Sequence, residues 1–277
     1  MIPFVVLLAL VGACIGSFLN VVAWRLPRQE SVVWPGSHCP NCGHAVRWHD
    51  NLPVFGWLLL QGRCRDCHWR IPVRYPLVEL LTAGLWLTAI PAMGLGATPA
   101  QATTAQLINL TGGVVLVSLL MALTLIDLDH LWLPEPLCRA GVVSGWITVT
   151  WMAASSTPFA ADRLLAHLLA ACAGLLVLEG ISILAERALG QPALGLGDAK
   201  LAAMGGAWLG PLGLAASMML AVLGGAVVGS AARLSGRLGP REPFPFGPFI
   251  AAGIWLVWLK GAPWWWQLWL AVMGQTS

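Results

Sequence analysis

Charged residues are scarce in this chain, making up 10% of its 277 residues, against roughly 25% in an ordinary soluble domain. Twelve acids and 15 Lys plus Arg cannot coat a globule of 29.4 kDa. A soluble fold is thereby excluded, and lipid must be the outer solvent. Segments of strictly alternating polarity are missing, which excludes a transmembrane β-barrel. No Lys or Arg precedes the first apolar run, Ile2 to Trp24, whereas Arg25 and Arg28 follow it. That order is the reverse of a signal peptide, so the run reads as a retained span with its amino terminus outside. Few polar residues lie inside the apolar runs, which argues against a solute transporter with a midplane site. What is present is apolar: 58% hydrophobic residues, a mean hydropathy of +0.76, and 16 Trp, a residue that favours the membrane interface.

The chain is expected to be an all-α polytopic membrane protein with about eight transmembrane helices and a small zinc-binding cytoplasmic loop domain. After the first, apolar runs near bilayer length fall at about 76–96, 105–126, 136–155, 162–184, 199–211, 213–232 and 248–270. Gly210-Pro211 and Gly213 break the sixth early, so the two helices after Asp198 are expected to form a short hairpin. Seven Arg lie between Arg25 and Arg74, and the positive-inside rule assigns that segment to the cytoplasm. With both termini outside, 13 of the 15 basic residues, Arg241 among them, fall at or near the cytoplasmic side. Arg163 adjoins Asp162, and Lys260 can snorkel beside Trp264-Trp265-Trp266. The expected organisation is a first span over 1–24, a cytoplasmic four-cysteine loop domain over 25–75 and a polytopic membrane domain over 76–277.

Cys39-Pro-Asn-Cys42 and Cys64-Arg-Asp-Cys67 are two Cys-x-x-Cys pairs in this loop. Each pair offers two thiolates from one turn, and two such turns make a closed tetrahedral sulfur site suited to structural zinc. A reducing cytoplasm argues against disulfides. Gly43 and Gly62 permit tight knuckles, and a loop of about 50 residues is small enough to need a metal in place of a core. Cys14, Cys138 and Cys172 sit in apolar runs and are expected as small buried residues.

Among the acids, Asp127 ends the third span and Asp198 opens the sixth, in Gly195-Leu196-Gly197-Asp198. Both fall at cytoplasmic helix ends, level in depth, and so are able to meet. Two carboxylates within a few Å share a proton, and the pair can act as general acid and general base on water. Either residue is also explained as a helix cap or a solvated helix end. Asp129 points roughly 200° away from Asp127 around a helix and is expected to face water with His130. Glu79 and Glu179 lie inside spans near their cytoplasmic ends.

The order of motifs resembles the type IV prepilin peptidases, bacterial inner-membrane aspartic proteases. The resemblance rests on Gly16-Ser17-Phe18-Leu19-Asn20-Val21-Val22, Arg25-Leu26-Pro27, the paired cysteines and Arg74-Tyr75-Pro76-Leu77-Val78-Glu79. It continues through Ile126-Asp127-Leu128-Asp129-His130, Leu133-Pro134, Gly197-Asp198-Ala199-Lys200-Leu201 and Pro245-Phe246-Gly247-Pro248-Phe249. The resemblance implies catalytic Asp127 and Asp198 and an active site facing the cytoplasm. It implies cleavage of the short basic leader from type IV prepilins and the pilin-like proteins of type II secretion. N-methylation of the new terminus with S-adenosylmethionine is implied as well. The methyl donor comes from the resemblance alone, since no glycine-rich loop after a strand marks a nucleotide site. One departure is Glu135 after Leu133-Pro134, where relatives usually carry Asp. Asp129, Glu135 and Glu186 are candidates to attract the basic leader. Membrane lipid and the precursors are the expected partners, and no nucleic acid is expected. The alternatives are an intramembrane aspartyl protease of other substrates, which shares only the Gly-x-Gly-Asp motif, and a non-enzymatic zinc-ribbon membrane assembly protein.

Overall fold

The computed structural model describes residues 2–92, 102–154, 160–190, 195–239 and 242–274; Arg241 lies outside them. The chain divides into two compact units, Met1–Ala102 and Thr103–Ser277. Among the described residues the secondary structure is helical, with isolated bridges at His38 to Ala45 and Arg63 to Arg70 in place of named strands. Four helical stretches are long and apolar enough to cross a membrane: Ile2–Arg28, Thr104–His130, Ala161–Ala188 and Leu196–Leu234. The protein is an integral membrane protein.

In the first unit, α1 (Ile2–Arg25) packs against α3 (Arg74–Ala92), and the short α2 (Phe55–Leu59) belongs to the loop between them. Gly12 and Gly16 set the approach of α1 to α3: a methyl group on Gly16 would lie 2.7 Å from Glu79 Cα. Small residues four apart allow this closeness, which in lipid supplies much of the attraction between helices. The loop is tied back by Arg25, which is buried and donates to the carbonyls of Ser31 (3.0 Å), Pro35 (2.6 Å) and Gly36 (3.1 Å).

The second unit comprises α4 (Thr104–His130), α5 (Glu135–Ala154), α6 (Ala160–Leu189), α7 (Leu196–Leu234), α8 (Gly247–Lys260) and α9 (Ala262–Val272). A capping box between Thr103 and Gln106 starts α4. Glycines receive bulky neighbours throughout: Gly145 faces Trp208, Gly112 faces Thr148 and Trp208, and Gly141 faces Met204. Trp208 Nε1 donates to Gly141 O at 2.8 Å, so α5 and α7 are also joined by a buried hydrogen bond. Of the three cysteines expected to be buried in apolar runs, the structure buries Cys138 and leaves Cys14 and Cys172 exposed on their helices.

The expected break of the sixth apolar segment is present inside α7. Gly210 is non-helical (φ 69°, ψ −173°) and Pro211 follows it. Leu214 packs against Ala202 and Ala170, whereas twelve residues of straight helix would separate positions 202 and 214 by about 18 Å. The chain therefore folds back, and the two limbs correspond to the expected helices 199–211 and 213–232. Pro211 has no N–H to give the carbonyl four residues earlier, that of Ala207. His167 Nδ1 takes up that oxygen at 3.0 Å.

The last apolar run, expected as one helix over 248–270, is instead divided. Gly261 (φ 81°) and Pro263 end α8 and start α9. Trp265 and Trp266 Nε1 then donate to the carbonyls of Leu256 (3.1 Å) and Leu212 (3.3 Å). Lys260 lies 5.7 Å from the Trp264 ring centroid, a cation–π contact that agrees with its expected place beside the Trp cluster.

Candidate active site and metal centre

Asp127 is in the last turn of α4 and Asp198 in the first turn of α7, and both are buried, 5% and 8% exposed. Carboxylates buried among apolar membrane helices are costly and seldom accidental. Three contacts bring them together. Gly247 N–H, at the start of α8, donates to Asp127 Oδ2 at 3.0 Å. A methyl group on Gly247 would lie 2.7 Å from that oxygen and 3.4 Å from Leu133 Cδ1. Leu133 reaches the other aspartate's turn too, because its Cβ would lie 2.8 Å from a methyl group on Gly197. One leucine thus touches both glycines, Gly197 next to Asp198 in sequence and Gly247 against the Asp127 carboxylate. Asp198 also accepts from the Gly195 backbone, so it caps the start of its own helix.

The link between α4 and α5 makes this convergence. Leu131 adopts the left-handed conformation (φ 51°) and its N–H returns to Asp127 O at 2.9 Å, which ends α4 and turns Leu133 and Pro134 inward. Glu135 then opens α5, meeting Lys200 Nζ at 3.1 Å and Arg139 at 2.5 Å. That ion pair ties α5 to the turn carrying Asp198. Glu135, a candidate to attract a basic leader, is therefore already engaged by two cations. Asp129 is exposed while Asp127 is buried, as their angular separation requires. Glu186 is exposed and Glu179 half-buried, whereas Glu79 is buried.

Sequence reasoning did not single out the Gly247 amide. A hydrogen-bond donor on the main chain leaves no side-chain signature, and the only pointer was the glycine between Phe246 and Pro248.

In the first unit the four cysteines converge. Cys39 and Cys67 Sγ are 3.7 Å apart, Cys42 and Cys64 Sγ are 4.0 Å apart, and all four sulfurs lie within 4.8 Å of one another. A tetrahedral ion with metal–sulfur bonds of about 2.3 Å separates its sulfurs by about 3.8 Å, while a disulfide needs about 2.05 Å. The cluster can hold a metal ion, and its dimensions are compatible with zinc. Each pair sits on a matching knuckle: Cys39 N–H to His44 O (2.9 Å), and Cys64 N–H to Trp69 O (2.8 Å). The left-handed residue after the first pair is Gly43 (φ 74°), as expected. Its counterpart after the second pair is His68 (φ 55°), while Gly62 (φ 65°) precedes that pair against Trp57. The Asn41 side chain, then the Trp69 backbone, holds the Cys67 thiol down at about 6. The His44 backbone bond pulls Cys42 down, but burial and the other three thiols push it up to about 12. Four thiolates cannot coexist here without a cation.

Comparison with known proteins gives a consistent result. Residues 10–93 match the bacterial peptidase A24 N-terminal domain, and residues 114–230 match the type IV leader peptidase family. A prepilin leader peptidase/N-methyltransferase of Myxococcus xanthus is 39% identical over 86% of this chain and 66% of its own length. One from Burkholderia pseudomallei is 36% identical over 87% and 81%. The type 4 prepilin-like proteins leader peptide-processing enzyme of Escherichia coli O78:H11 is 34% identical over 87% and 88%. No solved structure matches the chain.

Proposed function

The chain belongs to the type IV leader peptidase family, and on that premise we propose that it is a membrane aspartic endopeptidase. Its substrates are type IV prepilins and pilin-like type II secretion precursors, from which it removes the basic leader at the cytoplasmic face of the inner membrane. It then methylates the new amino terminus, the second activity in the names of its relatives. What supports the reading is that Asp127 and Asp198, from two helix ends 71 positions apart, are both buried, with Leu133 packed beside the glycine next to each.

The chemistry follows from the pair. Two adjacent carboxyls share one proton. The ionised member takes a proton from water as the water attacks the scissile carbonyl, and the protonated member supplies one to the leaving amine. The Gly247 N–H holds Asp127 Oδ2 and so orients the carboxylate. A precursor with a polar leader and an apolar helix has its scissile bond at the interface, the depth proposed for both helix ends.

Residues 25–75 form, on this reading, a cytoplasmic domain in which Cys39, Cys42, Cys64 and Cys67 hold a structural zinc ion, with no ligand position left open for catalysis. S-adenosylmethionine would supply an electrophilic methyl group. A purely scaffolding protein gains nothing from burying two acids side by side, which disfavours the non-enzymatic alternative. Asp127→Asn and Asp198→Asn keep shape and remove the acid and base. Each purified variant is expected to lose cleavage of a pilin precursor by at least 10²-fold; wild-type turnover by either would refute the proposal.

A further inference from the structure

The interface of α1 and α3 contains polar side chains that peptide cleavage does not use: Ser17 and Asn20 from α1, Glu79 and Thr82 from α3. Asn20, Glu79 and Thr82 are 7%, 7% and 0% exposed. Two of them are spent locally. Asn20 Nδ2 donates to Gly16 O and Tyr75 O, both at 3.3 Å, and Thr82 Oγ1 donates to Val78 O at 2.7 Å.

Glu79 is different. Its Oε2 accepts the Val54 N–H at 2.6 Å, and the Ser17 side chain supplies a second hydrogen bond. A carboxylate has about four acceptor positions, so about half remain. Among the described residues no Lys, Arg or His forms an ion pair with it. An ionised carboxylate buried without a cation is costly. The Val54 contact is also made under strain. Val54 has φ 62° and ψ −52°, and Phe55 N–H reaches Pro53 O at 2.6 Å, a γ-turn about a β-branched residue. Strain maintained around a buried ionisable group is a mark of functional sites.

A cation with N–H donors would fit the acceptor positions that remain. A methyl transfer to a new chain terminus handles a primary ammonium group. Resting on the reading that this chain methylates its own product, we infer that Glu79 receives the α-ammonium of the processed pilin and takes up one of its protons during transfer. In that step an N–H bond breaks and an O–H bond forms on Glu79. The freed nitrogen lone pair forms the N–CH3 bond while the methyl–sulfur bond of the sulfonium donor breaks, its electron pair staying on sulfur as a neutral thioether.

The test uses full-length protein in lipid with Glu79→Gln, which keeps an acceptor for Val54, and Glu79→Asp. Two quantities are read: product mass with precursor and methyl donor, and, without donor, affinity for a synthetic processed amino-terminal peptide and its N-acetylated form. Wild type is expected to bind the free amine at least tenfold tighter than the acetylated peptide, and Glu79→Gln to bind the two alike. The ratio of methylated to cleaved product should fall at least tenfold in Glu79→Gln and be partly restored in Glu79→Asp. Equal affinity of wild type for both peptides overturns the assignment, as does an unchanged methylation ratio in Glu79→Gln. Weaker binding of uncleaved precursor by Glu79→Gln also overturns it, since Glu79 would then serve the leader. Wild type that cleaves without methylating removes the methyl-transfer half of the proposed function together with this inference; wild type that does not cleave refutes the peptidase itself.

Discussion

At the scale of single residues, the site depends on positions where nothing larger fits. Gly247 faces Asp127 so closely that a methyl group would lie 2.7 Å from the carboxylate oxygen and 3.1 Å from Cγ. Gly247→Ala should displace Asp127 and lower kcat about 10²-fold, as misplacement of a reacting group by about 1 Å does, with little change in Tm. Gly84→Ala, where a methyl group meets nothing within 4 Å, is the control. Equal kcat for both variants would show that this close approach does not position Asp127. In the loop, Arg65 grips Asp50 with two bonds of 2.7 and 2.5 Å and holds its carboxyl below the usual range. The unfolded carboxyl titrates near 3.9. The stabilisation is therefore complete above that pH and disappears as pH falls through the lower folded value. Asp50→Asn should remove this acid-sensitive part, flattening the loop's Trp fluorescence against pH below about 4 relative to wild type. Superimposable profiles would count against the pairing. The acids were legible in the sequence because they are few; the Gly247 amide was not, because a backbone donor has no residue type of its own.

At the scale of elements, the break in α7 is the feature on which the second unit turns. Gly210-Pro211 announced it, since proline leaves a carbonyl without its donor. The identity of the group that replaces the donor was not legible, because His167 is 40 positions away from Ala207 and reaches it only after α6 packs on α7. His167→Leu keeps bulk and leaves the Ala207 carbonyl unpaired, a cost of about 1 to 3 kcal/mol. A Tm lower by several degrees is expected for a unit of this size; an unchanged Tm would mean that the carbonyl finds another partner. The cysteine knuckles carry a related lesson. Gly43 satisfies the left-handed turn of the first, but His68 occupies that position in the second, since turn geometry tolerates a non-glycine residue at a cost of about 1 to 2 kcal/mol.

At the scale of the whole molecule, chemistry is divided between two compact units, the four cysteines and Glu79 in one, the aspartate pair in the other. Removing the metal should therefore act unevenly. Chelation, or Cys39→Ser, should release about one zinc per chain and make residues 37–71 sensitive to protease, while the thermal transition of residues 103–277 stays where it was. Purified, reduced protein without bound metal would refute the zinc assignment. The scarcity of charge, the cluster of Arg in one loop, the cysteine spacing and the order of motifs are properties of residue type along the chain. From them alone followed a helical membrane protein, the candidate metal-ligating cysteines and the candidate aspartates. Depth along a helix was also calculable, because the rise per residue is constant. The lateral neighbours of those residues were not calculable. That Leu133 bridges Gly197 and Gly247, and that Glu79 is buried instead of reaching water, are outcomes of helix rotation and close approach. Those are set by which small and large side chains interlock across helices, a property of pairs distant in sequence that no single segment contains.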